Sequence, residues 1–131
     1  MNDNAKKWVK ALRSGIYKQG KGHLCNPLTD EYCCLGVAAD LYVKEVGDIT
    51  VEDDGSLRAY DGRDIYPPPA VVEWLGLDDS AGRYVKSGDS EIVVQAGGIT
   101  TLAYNNDEDN LSFEQIADII ESEPKGLFNE S

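Results

Sequence analysis

The stretch from Tyr32 to Val43, Tyr-Cys-Cys-Leu-Gly-Val-Ala-Ala-Asp-Leu-Tyr-Val, is the longest nearly uninterrupted apolar run in the chain, and it constrains the fold more than any other segment. Twelve residues are too few to span a bilayer and more than a typical strand, so the run reads as a core helix. Asp30 is the expected N-cap and Gly47 the expected stop, while Cys34, Val37, Ala38 and Leu41 fall at i, i+3, i+4 and i+7. Gly36 predicts the close approach of another element. Cys33 and Cys34 occupy the expected first turn, where a helix dipole favours a thiolate.

A chain of 131 residues with 41% hydrophobic content suits one core, so residues 1–131 are expected to form a single domain. No apolar segment follows the charges at the amino terminus and no run is long enough for a membrane span, which points to a cytosolic protein. Three cysteines, with Cys33 and Cys34 adjacent, are an odd number poorly placed for a disulfide, so reduced, buried thiols are expected.

The net charge of −12 argues against general nucleic-acid binding, but the charge is unevenly spread. Residues 1–29 hold six cations (Lys6, Lys7, Lys10, Arg13, Lys18, Lys21) against one carboxylate, giving +5. The remainder holds six against 23, giving −17. A basic face on an acidic body can steer an anion, or a second subunit, toward one side.

Local signals predict the other elements. Asn2 to Asn4 offer caps to a first helix with the stripe Ala5, Trp8, Val9 and Leu12, stopped by Gly15; Lys6, Lys10 and Arg13 share a separate flank. A hairpin is expected from Ile49–Glu52 and Ser56–Tyr60 around Asp54-Gly55, ended by Asp61-Gly62. A short helix from Ala70 to Leu75 ends at Gly76, with Leu77 folding back on Val72. A second hairpin is expected to use Ile92 to Val94, followed by a short helix over Thr100 to Asn105 capped at Thr100. Ser112 and Gln115 form a capping-box pattern, with Leu111 and Ile116 as staple and Phe113, Ile116, Ala117 and Ile120 as stripe. The tail, residues 124–131, is expected to fray. The fold class is therefore α+β, a small single domain in which flanking helices and one or two short β-hairpins surround a central buried helix.

The segment from Arg13 to Leu24 is the candidate binding loop. Arg13, Tyr17, Lys18, Gln19, Gly20, Lys21 and Gly22 combine cationic and amide donors, exposed backbone N–H groups and one aromatic ring, a composition suited to a phosphate or carboxylate. The glycines do not make the Gly-x-Gly-x-x-Gly pattern, and no Gly-Lys-Ser/Thr occurs. A solvated basic loop is the plain alternative. Asn105, Asp107 and Asp109 mimic the start of a calcium loop, but Asn110 stands at its glycine position and Ile116 at its glutamate position, so no metal is expected.

Several blocks, Trp8-Val9-x-Ala11-Leu12-Arg13-Ser14-Gly15-x-Tyr17-x-Gln19-Gly20-x-Gly22-x-Leu24, Tyr32 to Val37, Pro69-Ala70-Val71 with Trp74 to Leu77, Leu102-x-x-Asn105-Asn106, and Ser112 to Glu121, resemble a widespread family of small phage and prophage proteins. The resemblance implies an accessory phage protein acting in the bacterial host cytoplasm, and implies no particular reaction. It also implies that His23 stands where members vary.

Three function classes follow. A thiol enzyme would use Cys33 or Cys34 as nucleophile with His23, the only histidine, as base, yet no orienting partner is legible from spacing. A non-catalytic protein binding a small anionic, nucleotide-like ligand, by analogy with phage proteins that sequester bacterial immune signals as oligomers, would use the Arg13–Gly22 loop and no cofactor. Docking of the acidic body onto a host protein, as a mimic of nucleic acid, is the remaining class.

Overall fold

The computed structural model describes residues 1–86 and 98–129. Among the described residues, five helices and three small sheets form one α+β domain around a buried central helix. The first helix, α1 (Asp3–Arg13), begins where the Asn2 side chain accepts from Ala5 N–H at 2.8 Å, and it buries Ala5, Trp8, Val9 and Leu12 as its spacing predicts. Gly15 follows with φ +76°. The Trp8 indole N–H donates to the Cys34 carbonyl at 2.8 Å, which fixes α1 against the start of the central helix.

That central helix, α2 (Cys34–Glu45), buries Cys34, Leu35, Gly36, Val37, Ala38, Ala39 and Tyr42, so its first two turns are apolar on nearly every side. Gly36 explains how they fit. A Cβ there would lie 1.7 Å from the Leu24 carbonyl oxygen, so only glycine admits the strand segment that crosses the helix. The expected cap at Asp30 is corrected to Cys33, whose Sγ accepts from Gly36 N–H at 3.3 Å. Asp30 instead takes φ +60° in a turn. The reason is tertiary: Glu31 and Tyr32 are drawn into a strand that pairs on both sides, and extended residues cannot also be helical.

That strand, β3 (Glu31–Tyr32), lies between β1 (Lys18–Gln19), parallel to it, and β2 (Cys25–Asn26), antiparallel. The hairpin of β4 (Val51–Asp54) and β5 (Leu57–Tyr60) forms as expected, but its register pairs Asp54 with Leu57, so Gly55-Ser56 occupies the turn centre. Gly55, at φ +61°, takes the first central position. Asp61 and Gly62 both have positive φ and close a second tight turn between Tyr60 and Arg63.

Helix α3 (Pro69–Leu75) ends at Gly76, φ +75°, with Leu77 N–H donating to Val72 O and Gly76 N–H to Glu73 O, both 3.0 Å. This is the Schellman ending predicted from Gly76 and Leu77. Strands β6 (Arg83–Val85) and β7 (Ile99–Thr101) pair antiparallel. The expected strand at Ile92–Val94 lies outside the described residues. Helix α4 (Leu102–Asp107) is capped by Thr101, one residue later than expected, its hydroxyl accepting from Tyr104 N–H at 3.0 Å. Helix α5 (Phe113–Glu121) has the full capping box and buries Phe113, Ile116, Ala117 and Ile120 against α1.

The frayed tail is also corrected. Leu127 is fully buried, Asp78 N–H donates to its carbonyl at 3.0 Å, and Asn129 N–H donates to Gly76 O at 2.8 Å. Apolar Leu127 and Phe128 hold residues 127–129 against the Gly76 turn, where Leu77 and Phe128 form a β-bridge, and residues 130–131 of the expected tail lie outside the described residues.

Candidate functional site

The residues expected to clamp one ligand are distributed over three places. Arg13, in the last turn of α1, faces α5, whose Glu114, Asp118 and Glu121 stand at i, i+4 and i+7 on one side of the helix. Its guanidinium lies 2.5 Å from Glu114 and 2.8 Å from Asp118, and it also bonds Glu121. These hydrogen bonds raise its pKa still further. Arg13 is a clamp between the first and last helices.

Gln19, Gly20, Lys21 and Gly22 turn toward α4. The Gln19 amide donates to Asn106 Oδ1 at 2.9 Å and to Leu111 O at 2.8 Å, and the Asn106 amide donates to Gly20 O at 2.8 Å. Gly22 N–H donates to Asp107 at 3.0 Å, and Lys21 bonds Asn110. The Gln19 amide, the Gly22 N–H and one donor of the Lys21 ammonium are thus engaged by the chain itself. Asn106 is the hub. Fully buried, it also accepts from Cys34 N–H at 3.2 Å, so one side chain ties the loop to the first turn of α2.

That arrangement decides the character of the thiols. Two effects compete at Cys33: N–H groups of the first helical turn favour a thiolate, and complete burial opposes it. Burial wins, and the Cys33 pKa is pushed up to about 12. Cys34 is raised well above its ordinary value, chiefly by burial and then by Cys33 and Asp107, and Cys25 is raised by burial. His23 is exposed. The geometry favours thiols that stay protonated as packing groups.

Tyr17 and Lys18 line a different feature, a cleft of about 280 Å³ bounded by Ile16, Tyr17, Lys18, Asp30, Tyr32, Asp40 and Lys44. The Tyr17 hydroxyl donates to Asp40 at 2.5 Å, and the Lys44 ammonium donates to the same carboxylate oxygen at 3.0 Å and to the Tyr17 oxygen at 3.3 Å. The ammonium also stands 5.4 Å from the Tyr17 ring centroid, and Tyr32 meets that ring edge-to-face at 5.1 Å. Burial, and then the Asp40 hydrogen bond, raise the Tyr17 pKa, so its proton stays in place. Lys18, exposed, also lines the cleft and forms no ion pair among the described residues.

Sequence reasoning missed Asp30, Tyr32, Asp40 and Lys44. A signal for two of them existed: Asp40 is the lone carboxylate in the apolar run, and Lys44 follows it at i+4.

The family model DUF8296, a domain of unknown function, matches residues 1–124. The chain belongs to that family. The DUF8296 match takes in the five described helices, the cleft and the Asn106 hub. No curated protein and no solved structure matches the chain significantly. Among the described residues of this DUF8296 chain, no group of three His, Cys, Asp or Glu is arranged to hold a metal ion, and no helix is long and apolar enough to cross a membrane.

Proposed function

We propose that the chain is a non-catalytic binding protein that captures a small anionic, nucleotide-like molecule in the cleft of Tyr17, Lys18, Asp30 and Lys44. The observation that carries this reading is the convergence of two ammonium groups and an aromatic pair on one cleft, with the Lys18 charge uncommitted among the described residues. The Asp40 carboxylate is already matched by Tyr17 and Lys44, which leaves Lys18 and the remaining donor of Lys44 for phosphate oxygens. Asp30, exposed at the rim, suits the N–H groups of a base, and Ile16 offers apolar surface beside them. At about 280 Å³ the cleft is at the small end of ligand sites, which favours a compact molecule.

In this reading Gln19, Gly20, Lys21 and Gly22 hold the loop that presents Tyr17 and Lys18, and Arg13 braces the helix before it. In the phage setting implied by the sequence blocks, capture would lower the free concentration of a nucleotide signal in the host. A competing reading, docking onto a host protein, rests on the exposed strand Val51–Asp54 with its three carboxylates, of which Asp53 is paired with Arg58. Reversing Glu52 and Asp54 to Lys would abolish that docking and leave the cleft unaffected.

A thermal-shift screen against cyclic nucleotides and ADP-ribose derivatives tests the proposal, because a ligand that binds only the folded form raises its Tm. The expected result is a concentration-dependent rise with at least one of them, weakened roughly ten- to a hundredfold by Lys18→Ala and unchanged by Lys125→Ala. Equal affinity in wild type and Lys18→Ala, or no rise with any compound, would overturn it.

A further inference from the structure

A second concavity, of about 480 Å³, opens between α1 and α5 and is lined by Met1, Lys6, Val9, Lys10, Arg13, Ser14 and Glu121. Its chemistry differs from that of the cleft. The half-buried Met1 side chain contributes to its wall, Val9 at 6% exposure adds little, and the stems of Lys6 and Lys10 supply further apolar surface before ending in charge. Lys6 has one exposed partner, Asp3, at 3.8 Å, an interaction of small worth, and Lys10 has none among the described residues. The lone lining carboxylate, Glu121, is bound by Arg13.

From this combination we propose that the groove between the first and last helices binds a free single-chain anionic amphiphile, with its hydrocarbon along Met1 and the lysine stems and its head group between Lys6 and Lys10. Charge complementarity selects the anion. The low polarity of the wall requires a hydrocarbon part, which a simple phosphate or carboxylate lacks. A concave groove receives a single free chain, whereas a bilayer surface is engaged by protruding apolar side chains. The site is independent of the cleft, since the two share no lining residue.

The test is isothermal calorimetry of the full chain with decanoate below its micelle concentration, and with decanol as the uncharged control. Lys10→Glu is the decisive variant, because Lys10 is exposed and its replacement leaves the core untouched. We expect one decanoate per chain, affinity reduced about tenfold or more by Lys10→Glu, weak or no binding of decanol, and no change in Lys18→Ala. Equal decanoate affinity in wild type and Lys10→Glu, or equal binding of decanol and decanoate, would overturn the proposal. So would binding of anionic vesicles without monomeric decanoate, or concentration-dependent self-association abolished by Lys10→Glu in place of decanoate binding. Loss of decanoate binding in Lys18→Ala would likewise reassign the ligand to the cleft.

Discussion

Replacing Asn106 by alanine tests the connection between the loop and the central helix most severely. The side chain is fully buried and makes four hydrogen bonds: it accepts from Cys34 N–H and Gln19, and donates to Gly20 O and Asp107. Gln19 keeps Leu111 O and Asp107 keeps Gly22 N–H after the change, so the main losses are one backbone N–H and one backbone carbonyl. Each buried group left without a partner costs about 1 to 3 kcal/mol, so Asn106→Ala should destabilise the fold by roughly 2 to 5 kcal/mol. With a urea slope of about 1 to 3 kcal/mol/M, the midpoint should fall by at least about 0.7 M. Trp8 fluorescence in urea is a suitable readout, because its indole bonds the Cys34 carbonyl at the same helix start. Glu108→Ala is the control: it is exposed, has an ordinary negative φ and forms no side-chain hydrogen bond or ion pair among the described residues, so it should cost under about 0.5 kcal/mol. A loss of less than about 0.5 kcal/mol in Asn106→Ala would refute the role of this residue as hub.

Other perturbations have equally definite outcomes. Gly36→Ala must displace the Leu24 backbone, since its Cβ would overlap that carbonyl, so a loss of about 3 kcal/mol or more is expected in the same assay; a change below about 1 kcal/mol would contradict the packing. Cys33 and Cys34 should resist alkylation in the folded protein, and Cys33→Ala and Cys34→Ala should change stability while sparing ligand binding; reaction faster than a model thiol would argue for a depressed pKa. Alkali should weaken the fold. The native chain keeps the Cys33 proton up to about pH 12 while the unfolded chain releases it near 9.0, so this contribution is intact below 9.0 and is lost as pH rises toward 12. Melting temperatures measured across that interval should fall less steeply in Cys33→Ala than in wild type.

Elements governed by local chemistry were legible in the sequence. The Asn2 cap, the Ser112–Gln115 capping box, the Gly76–Leu77 ending and the need for glycine at position 36 each depend on neighbours or on the volume of one side chain. What escaped depends on partners far along the chain. Strands of two residues, such as Lys18–Gln19 and Glu31–Tyr32, have no period to read, and their pairing moved the start of α2 from Asp30 to Cys33. The candidate site was partly visible for the same reason. Its composition singled out the Arg13–Gly22 stretch, but the commitment of Arg13 to α5 and of Gln19 to Asn106 spans more than 80 residues in each case. Tyr17 and Lys18 alone reach the cleft, where Asp40 and Lys44 from α2 complete it.

The proposed binding site is tested most directly by an NMR titration of uniformly 15N-labelled protein with the compound giving the largest thermal shift. The account predicts saturable amide shifts concentrated at residues 16–18, 30–32, 40 and 44, and their loss at the same concentrations in Lys18→Ala. Shifts confined to α1 and α5, or a pattern in Lys18→Ala identical to that of wild type, would contradict it.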